Sequence, residues 1–195
     1  MKSADKIHDF DINKIDAESL WSRFVEGDHA AFEKIYRRHS DHLFQYGMQV
    51  IPHQGKVEDA IHDLFIYLWD HRASVGQVKS IRAYLLISLK RHLLRKQSQN
   101  KLLFQQDLLS FELQIKEDNG ELEPEIIEQL KKSVEKLSPR QREIIYLKFY
   151  QGLSYQEIAE LLELDLKYTY NLASKAYSLL KSHLHYWLLL FSFTQ

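Results

Sequence analysis

The chain has 195 residues, of which 45% are hydrophobic and 12% aromatic, so it can bury a core in one domain or in two small ones. Its six glycines and three prolines are too few for a fold of many short strands. The absence of cysteine excludes disulfides, thiolate chemistry and cysteine-bound metal, and it suits a reducing compartment. The formal net charge is −1, so binding of nucleic acid would depend on local basic patches.

Charge is strongly segregated along the chain. Residues 79–101 include seven Lys or Arg and no acidic residue, whereas residues 104–135 include nine acidic residues and three Lys. Such a pair of segments is typical of a surface that meets a polyanion beside an acidic connector. Two solvated helix faces of opposite sign would give the same pattern, and both interpretations stay open at this level.

Hydrophobic residues recur every three or four positions in three segments of the first half, which predicts three helices. We expect a flexible start over residues 1–19, then helices over 28–50, 57–71 and 80–97. Short connections between them predict an N-terminal bundle of three to four helices. The basic residues of the third helix are expected to point away from the core.

The sequence of the second half predicts a linker followed by three helices. Residues 102–132 form the acidic linker, and Ser138 with Pro139 begins a helix over 140–150. Ser154 and Glu157 have the spacing of a capping box, which begins a short helix that ends near residue 162. Asp165 is the predicted cap of a last helix over 166–184. The fold class is therefore all-α, with two small helical domains joined by an acidic linker.

The last two helices and their three-residue turn have the layout of a helix-turn-helix, in which the second helix enters the major groove of DNA. Asn can pair with adenine and Lys can bind guanine or phosphate. A plain helical hairpin is the alternative, because residues 139–181 hold six basic and five acidic residues. The outward residues predicted on the last helix are Lys167, Tyr168, Tyr170, Asn171, Ser174 and Lys175.

Three stretches of the chain resemble the extracytoplasmic-function (ECF) branch of the bacterial sigma-70 family, in particular its iron-citrate (FecI-like) type. They are Gly27-Asp28-x-x-Ala31-Phe32-x-x-Ile35-Tyr36, EDAIHDLFIYLW at 58–69, and LSPRQREII at 137–145 with GLSYQEIAELL at 152–162. The resemblance covers residues 20–184 and involves two domains in the order of the family. It implies region 2 over 20–101, the linker over 102–132, region 4 over 133–184 and an apolar tail over 185–195.

The resemblance also implies a function and its residues. Members of the family bind core RNA polymerase and start transcription at promoters, melting the minus-10 element with region 2 and reading the minus-35 element with region 4. The implied polymerase contacts are Asp59, His62, Asp63, Phe65 and Trp69. The implied minus-10 contacts are Val75, Gln77, Lys79, Ser80, Arg82, Tyr84, Lys90, Arg91 and Arg95. The implied minus-35 contacts are the six outward residues of the last helix together with Arg142 and Ser154.

Some of these assignments compete with a structural role or depart from the family pattern. Phe65, Trp69 and Tyr84 also fit the core of the bundle. His62 stands where the family usually has Gln, and Tyr168 replaces a small polar residue. Glu163 occupies a turn position often filled by Gly, which would cost about 1 kcal/mol if its φ is positive.

The implied partners are core RNA polymerase, promoter DNA and a membrane-anchored anti-sigma factor. We expect a cytoplasmic protein that is not itself a membrane protein, because the longest apolar run, Tyr186–Phe193, is far shorter than the roughly 20 residues of a spanning helix. No enzymatic activity, metal or cofactor is expected, since phosphate-loop, HExxH and nucleophile-elbow motifs are missing. The alternative function is a stand-alone helix-turn-helix regulator, which would not need the helix at 58–69.

Overall fold

Residues 18–96, 128 and 132–183 are described by the computed structural model. The chain divides into two units, residues 1–100 and 101–195, and every regular element described is helical. The all-α prediction is therefore confirmed. Most of the acidic linker and the whole apolar tail lie outside the described residues. Within the described ranges, no helix is long and apolar enough to cross a membrane, and no group of three or more His, Asp or Glu could hold a metal ion.

Four helices form the first unit. They are α1 over 18–25, α2 over His29–Val50, α3 over Gln54–Asp70 and α4 over Ile81–Lys96. A short 3-10 helix, Arg72–Ser74, precedes the loop that leads to α4. The three helices predicted from periodicity are all present, with ends within three residues of the prediction.

Helix α1 corrects the prediction of a flexible start through residue 19, because it begins at residue 18. Trp21 and Phe24 are fully buried, and their ring centroids lie 5.0 Å apart. Leu20 is also buried. These three side chains span little more than one helical turn, which is too short a stretch for a periodic pattern to be recognised.

A tight turn connects α1 to α2. Gly27 has φ +93°, a conformation that costs glycine little because it has no Cβ. Asp28 then caps α2, its Oδ1 accepting hydrogen bonds from the N–H groups of Ala30 and Ala31 at 2.8 and 3.2 Å. The Arg23 side chain donates to Asp28 Oδ2 at 2.8 Å, and this bond together with the backbone bonds holds the pKa of Asp28 below its ordinary value.

The core of the first unit lies between α2, α3 and α4. At Gly47 the α2 backbone approaches α3 so closely that an ideal Cβ would lie 2.5 Å from Val57 Cγ1. Val57 is itself fully buried, so it has little room to move. Glycine at position 47 is therefore needed for the packing of these two helices. Buried side chains of this core include Ala31, Ile35, Leu43, Leu64, Leu68, Leu85, Leu86 and Leu89.

We expect Gly47→Ala to destabilise the first unit by about 1–3 kcal/mol, because overpacking outweighs the helix propensity gained, about 0.5–1 kcal/mol. Val57→Ala removes the two methyl groups that the new Cβ would meet. The double variant should therefore be more stable than the sum of the single effects predicts, by about 1 kcal/mol or more. Urea denaturation of the four proteins measures this coupling, and purely additive effects would contradict the proposed contact.

The second unit contains helical residues 132–135 (α5), α6 over Pro139–Ile145, α7 over Tyr155–Leu162 and α8 over Leu166–His183. Helix α6 continues as a π-helical turn, Tyr146–Tyr150, that was not predicted. A buried cluster joins α5, α6 and α8 through Val134, Leu137, Ile145, Ala176 and Leu180, with Phe149 and Tyr177 packed against it.

All three predicted helix caps of the second unit are confirmed. Ser138 and Gln141 form a capping box in front of α6, and Ser154 and Glu157 form another in front of α7. Asp165 Oδ1 accepts a hydrogen bond from the N–H of Tyr168 at 2.9 Å, which caps α8. Because each cap satisfies N–H groups that a helix leaves unpaired, local sequence defines where these helices begin.

Candidate nucleic-acid interface

The six outward residues predicted for the last helix share one surface of α8, which we call the recognition face. Each of the six is exposed. On the opposite side of α8, Thr169, Ala173 and Ala176 are buried in the unit's core. The members of the recognition face are Lys167, Tyr168, Tyr170, Asn171, Ser174 and Lys175.

The helical period of α8 determines where each of these residues lies on the recognition face. With 3.6 residues per turn, Lys167, Asn171 and Ser174 follow one another along its middle. This row offers a cation, an amide and a hydroxyl. The amide of Asn171 can donate and accept at the same time, which is what the major-groove edge of adenine requires. Tyr168, 51% exposed, lies to one side of the row.

The other edge of the recognition face is held by aromatic contacts with α7. The rings of Tyr170 and Tyr155 lie 4.5 Å apart, and Tyr155 Oη donates to Tyr177 Oη at 3.3 Å. Lys148 Nζ lies 5.2 Å from the centre of the Tyr155 ring. Burial is the main cause that raises the pKa of Tyr177, so its hydroxyl stays protonated. Sequence reasoning missed Tyr155 and Lys148, since the contact of Tyr155 with α8 and that of Lys148 with Tyr155 are tertiary.

Two further minus-35 candidates lie outside α8. Arg142 is half-buried on α6, and its Nε is buried with no hydrogen-bond partner within the described part of the chain. Ser154 is exposed, but its hydroxyl accepts the N–H of Glu157 at 3.2 Å as the cap of α7. Neither residue belongs to the recognition face.

The turn between α7 and α8 contains a strained residue. Glu163 has φ 54° and ψ 46°, and in the described ranges it is the one non-glycine residue with a positive φ. Its N–H donates to Glu160 O at 3.2 Å, and the N–H of Leu164 donates to Ala159 O at 2.9 Å, which ends α7. Glu163 therefore has the positive φ that is expected to cost about 1 kcal/mol.

Glu163→Gly should stabilise the second unit by up to about 1 kcal/mol, because glycine adopts this conformation without a steric penalty. Glu160→Gly is the matched control, since the same exchange inside α7 should destabilise by about 1 kcal/mol. Thermal unfolding of both variants measures the two effects. Destabilisation by Glu163→Gly would show that the Glu163 side chain stabilises the second unit by more than its positive φ costs.

The basic residues of α4 do not share a single surface. Arg91 and Arg95 are exposed and lie one turn apart, whereas Arg82 and Lys90 are half-buried. The charge of Arg82 helps to lower the pKa of His39 on α2, which indicates that Arg82 faces α2. Among the basic residues of α4 whose burial the structure describes, the prediction that they point outward is thus confirmed for Arg91 and Arg95.

The loop over residues 75–80 contains the remaining minus-10 candidates. Gln77 and Lys79 are exposed and Val75 is half-buried, while Ser80 Oγ accepts the N–H of Ala83 at 3.2 Å and caps α4. Tyr84, one turn into α4, is half-buried, and burial raises its pKa. It is therefore both a core side chain and part of the surface beside the loop.

The loop is bonded to α1, which sequence reasoning did not connect with it. Trp21 Nε1 donates to Gly76 O at 3.0 Å. The Gln77 amide donates to Ser22 Oγ at 3.4 Å, a longer and weaker bond.

An exposed surface of α3, the α3 face, carries most of the polymerase candidates. Asp59 and His62 are exposed, and Asp63 is half-buried, 3.4 Å from His92 Nε2 on α4. Ile66 and Tyr67 are 48% and 56% exposed. They add apolar area to this acidic surface, and their spacing of three and four positions after His62 and Asp63 could have indicated them.

Two other α3 candidates belong to the packing of the bundle. Phe65 is 3% exposed and contacts the ring of Tyr36 at 4.8 Å, so we treat it as a core residue and leave it out of the α3 face. Trp69 is half-buried, 5.0 Å from Phe32, with the Arg72 guanidinium 4.5 Å from its ring centre. It lies at the border between α3 and α2.

The second unit is the part of the chain that a known family matches. Residues 127–180 match Sigma-70, region 4. This region 4 match spans α6, α7 and the entire recognition face of α8. No curated protein matches the chain.

Solved structures provide a second comparison. CnrH, in complex with the cytosolic domain of CnrY, is 20% identical with a TM-score of 0.56, over 85% of this chain and 95% of that one. The sigma factor RpoE, in complex with the anti-sigma factor NepR from Bartonella quintana, is 17% identical with a TM-score of 0.49, over 80% and 97%. The likeness to CnrH shows a common fold.

Proposed function

We propose that the chain is an ECF sigma factor of the sigma-70 family, which binds core RNA polymerase and directs transcription initiation at particular promoters. The observation that carries the proposal is the region 4 match over residues 127–180, because that segment presents the exposed recognition face. The fold shared with CnrH over 85% of the chain supports extending the proposal to the first unit. The iron-citrate type rests on the resemblance of the residues.

In this proposal the recognition face reads the minus-35 element in the major groove. Asn171 pairs with a base, and a good bidentate pair contributes about 1–3 kcal/mol of discrimination. Lys167 and Lys175 bind guanine or phosphate, and Tyr168 packs against a thymine methyl group or the sugar backbone. The packing of Tyr170 on Tyr155 fixes one edge of the face before DNA binds.

The first unit binds and melts the minus-10 element. Arg91 and Arg95 neutralise phosphates of the single strand, which accounts for two exposed cations one turn apart. The 75–80 loop, with Val75, Gln77 and Lys79, contacts the extruded bases. Tyr84 lines the same region and supplies an aromatic surface against which a base can stack.

The α3 face binds core RNA polymerase. Its Asp59, His62 and Asp63 offer acidic and hydrogen-bonding groups, and Ile66 adds an exposed apolar side chain among them. An apolar residue surrounded by charged groups is the usual composition of a protein interface core and its rim. Such a surface fits a basic, partly apolar helix of the partner.

The remaining parts of the proposal are the cellular compartment, the regulatory partner and the role of the acidic linker. The chain works in the cytoplasm, and a membrane-anchored anti-sigma factor holds it inactive, in line with the complexes in which CnrH and RpoE were solved. The acidic linker either tethers the two domains at promoter spacing or mimics a polyanion in the polymerase.

Run-off transcription tests the proposal. The purified chain is combined with bacterial core polymerase and fragmented genomic DNA, and transcript 5′ ends are sequenced beside a core-only control. We expect a small set of discrete start sites that share two upstream elements. Start sites identical to those of core alone, with the chain bound to closed duplex, would instead support the stand-alone regulator.

A further inference from the structure

We propose that Trp21 of α1 is a positioning residue that holds the backbone of the 75–80 loop in the geometry in which the loop meets promoter DNA. The inference rests on the proposed function, which gives the loop its role, and it assigns a part in that function to α1. The motifs that carry the sigma-70 resemblance do not include Trp21.

The contact that carries the inference joins residues far apart in the sequence. The indole Nε1 of Trp21 donates to Gly76 O at 3.0 Å across a separation of 55 residues. An indole has one donor and no acceptor, so this bond uses its full hydrogen-bonding capacity. Because Trp21 is 0% exposed, water cannot replace the carbonyl without opening the core.

The position of the indole is fixed from two other sides. Its ring lies 5.0 Å from Phe24 within α1 and 5.5 Å, edge to face, from Tyr84 in the first turn of α4. One side chain therefore connects α1, the loop and the beginning of α4. The loop backbone is held relative to Tyr84, which lines the proposed minus-10 surface.

Gly76 contributes its carbonyl rather than its small size. It is not among the residues with a positive φ, and a Cβ at this position would meet no atom within 4 Å. Other hydrogen bonds fix the two ends of the loop. At one end the N–H of Val75 donates to Arg72 O at 3.2 Å, and at the other Ser80 caps α4. The bond from Trp21 thus adds a restraint inside the loop, at Gly76 next to Gln77.

Restraining the loop in advance lowers the ordering cost when it binds bases, and a fixed backbone holds its side chains in the geometry that the correct bases match. Trp21→Phe keeps an aromatic ring in the core and removes the N–H donor. Gly76→Ala is the matched loop control, because it keeps the carbonyl. Phe24→Leu is the core control, because it perturbs the same packing without touching the bond.

Two readouts on the full chain test the inference. In the free protein, ¹⁵N relaxation should show order parameters of the 76–79 amides falling from about 0.85 to below about 0.6 in Trp21→Phe and staying near wild type in both controls. With core polymerase, the ratio of transcripts from an intact promoter to those from one with a mutated minus-10 element should fall about tenfold. Affinity for core polymerase should stay unchanged.

Unchanged loop order and unchanged discrimination in Trp21→Phe would overturn the inference, and so would equal losses in Phe24→Leu. If Trp21→Phe fails to fold, replacing the indole at position 21 by benzothiophene, which keeps shape and lacks the N–H, decides the question by the same two readouts. Failure of the wild-type chain to join core polymerase would overturn the proposed function, whereas relaxation would still show whether Trp21 restrains the loop.

Discussion

Replacing Asp59 by Arg is expected to weaken binding to core RNA polymerase at least 100-fold, which corresponds to about 2.7 kcal/mol. Asp59 is exposed at the beginning of the α3 face, one turn before His62 and Asp63. Placing a like charge against a complementary partner costs several kcal/mol. Because the side chain is outside the core, the first unit should keep its stability.

Glu26→Arg is the matched control for this charge reversal. Glu26 is exposed in the turn after α1, away from α3 in the sequence, and its replacement changes the net charge by the same amount. Fluorescence anisotropy with labelled chain and core polymerase measures both affinities. Equal weakening by the two variants would indicate a general charge effect, and no weakening by Asp59→Arg would remove α3 from the interface.

The free energy of unfolding should fall by about 2 kcal/mol between pH 8 and pH 5 because of His39. His39 is 6% exposed on α2, and its Nδ1 is buried with no hydrogen-bond partner among the described residues. Burial, helped by the charges of Arg82 and Arg38, lowers the pKa of His39 to about 4. The unfolded chain takes up the proton near pH 6.5 and the folded chain does not, so stability decreases as pH falls below 6.5.

The His39→Gln variant should lose most of this dependence, because glutamine does not titrate. His62→Gln, on the exposed α3 face, serves as the control. Urea denaturation at several pH values, followed through hydrogen exchange of α2 peptides, reports on the first unit alone. The same pH dependence in wild type and His39→Gln would contradict the assignment.

The long helices and their caps could be predicted from the sequence because both signals are local. α2 repeats its apolar pattern over 22 residues, and the caps at Ser138, Ser154 and Asp165 need only a side chain and an N–H three positions away. The π-helical turn Tyr146–Tyr150 could not be predicted, since the apolar pattern that predicts a helix over 140–150 does not distinguish a π-helical turn from an α-helix. α1 was missed because its apolar residues occupy a single short stretch.

The exposure of the candidate site residues could be predicted on some helices and not on others, again according to how local the signal is. On α8 the buried and exposed sides are cleanly divided, so all six residues of the recognition face were placed correctly on the surface. On α3 and α4 the side chains near the border of the core were ambiguous, and Phe65 and Arg82 lie further inward than a binding role suggests. The bond from Trp21 to the 75–80 loop is a tertiary contact that periodicity does not encode.

The central claim is that this chain recognises promoters as a subunit of RNA polymerase rather than alone. The most direct measurement is the affinity of the full chain for a duplex promoter recovered by run-off, with and without core polymerase. We predict weak binding by the free chain and, with core, tight binding that opens the minus-10 element, seen by permanganate reactivity of its thymines. Tight binding of closed duplex by the free chain, unchanged by core polymerase, would contradict the account.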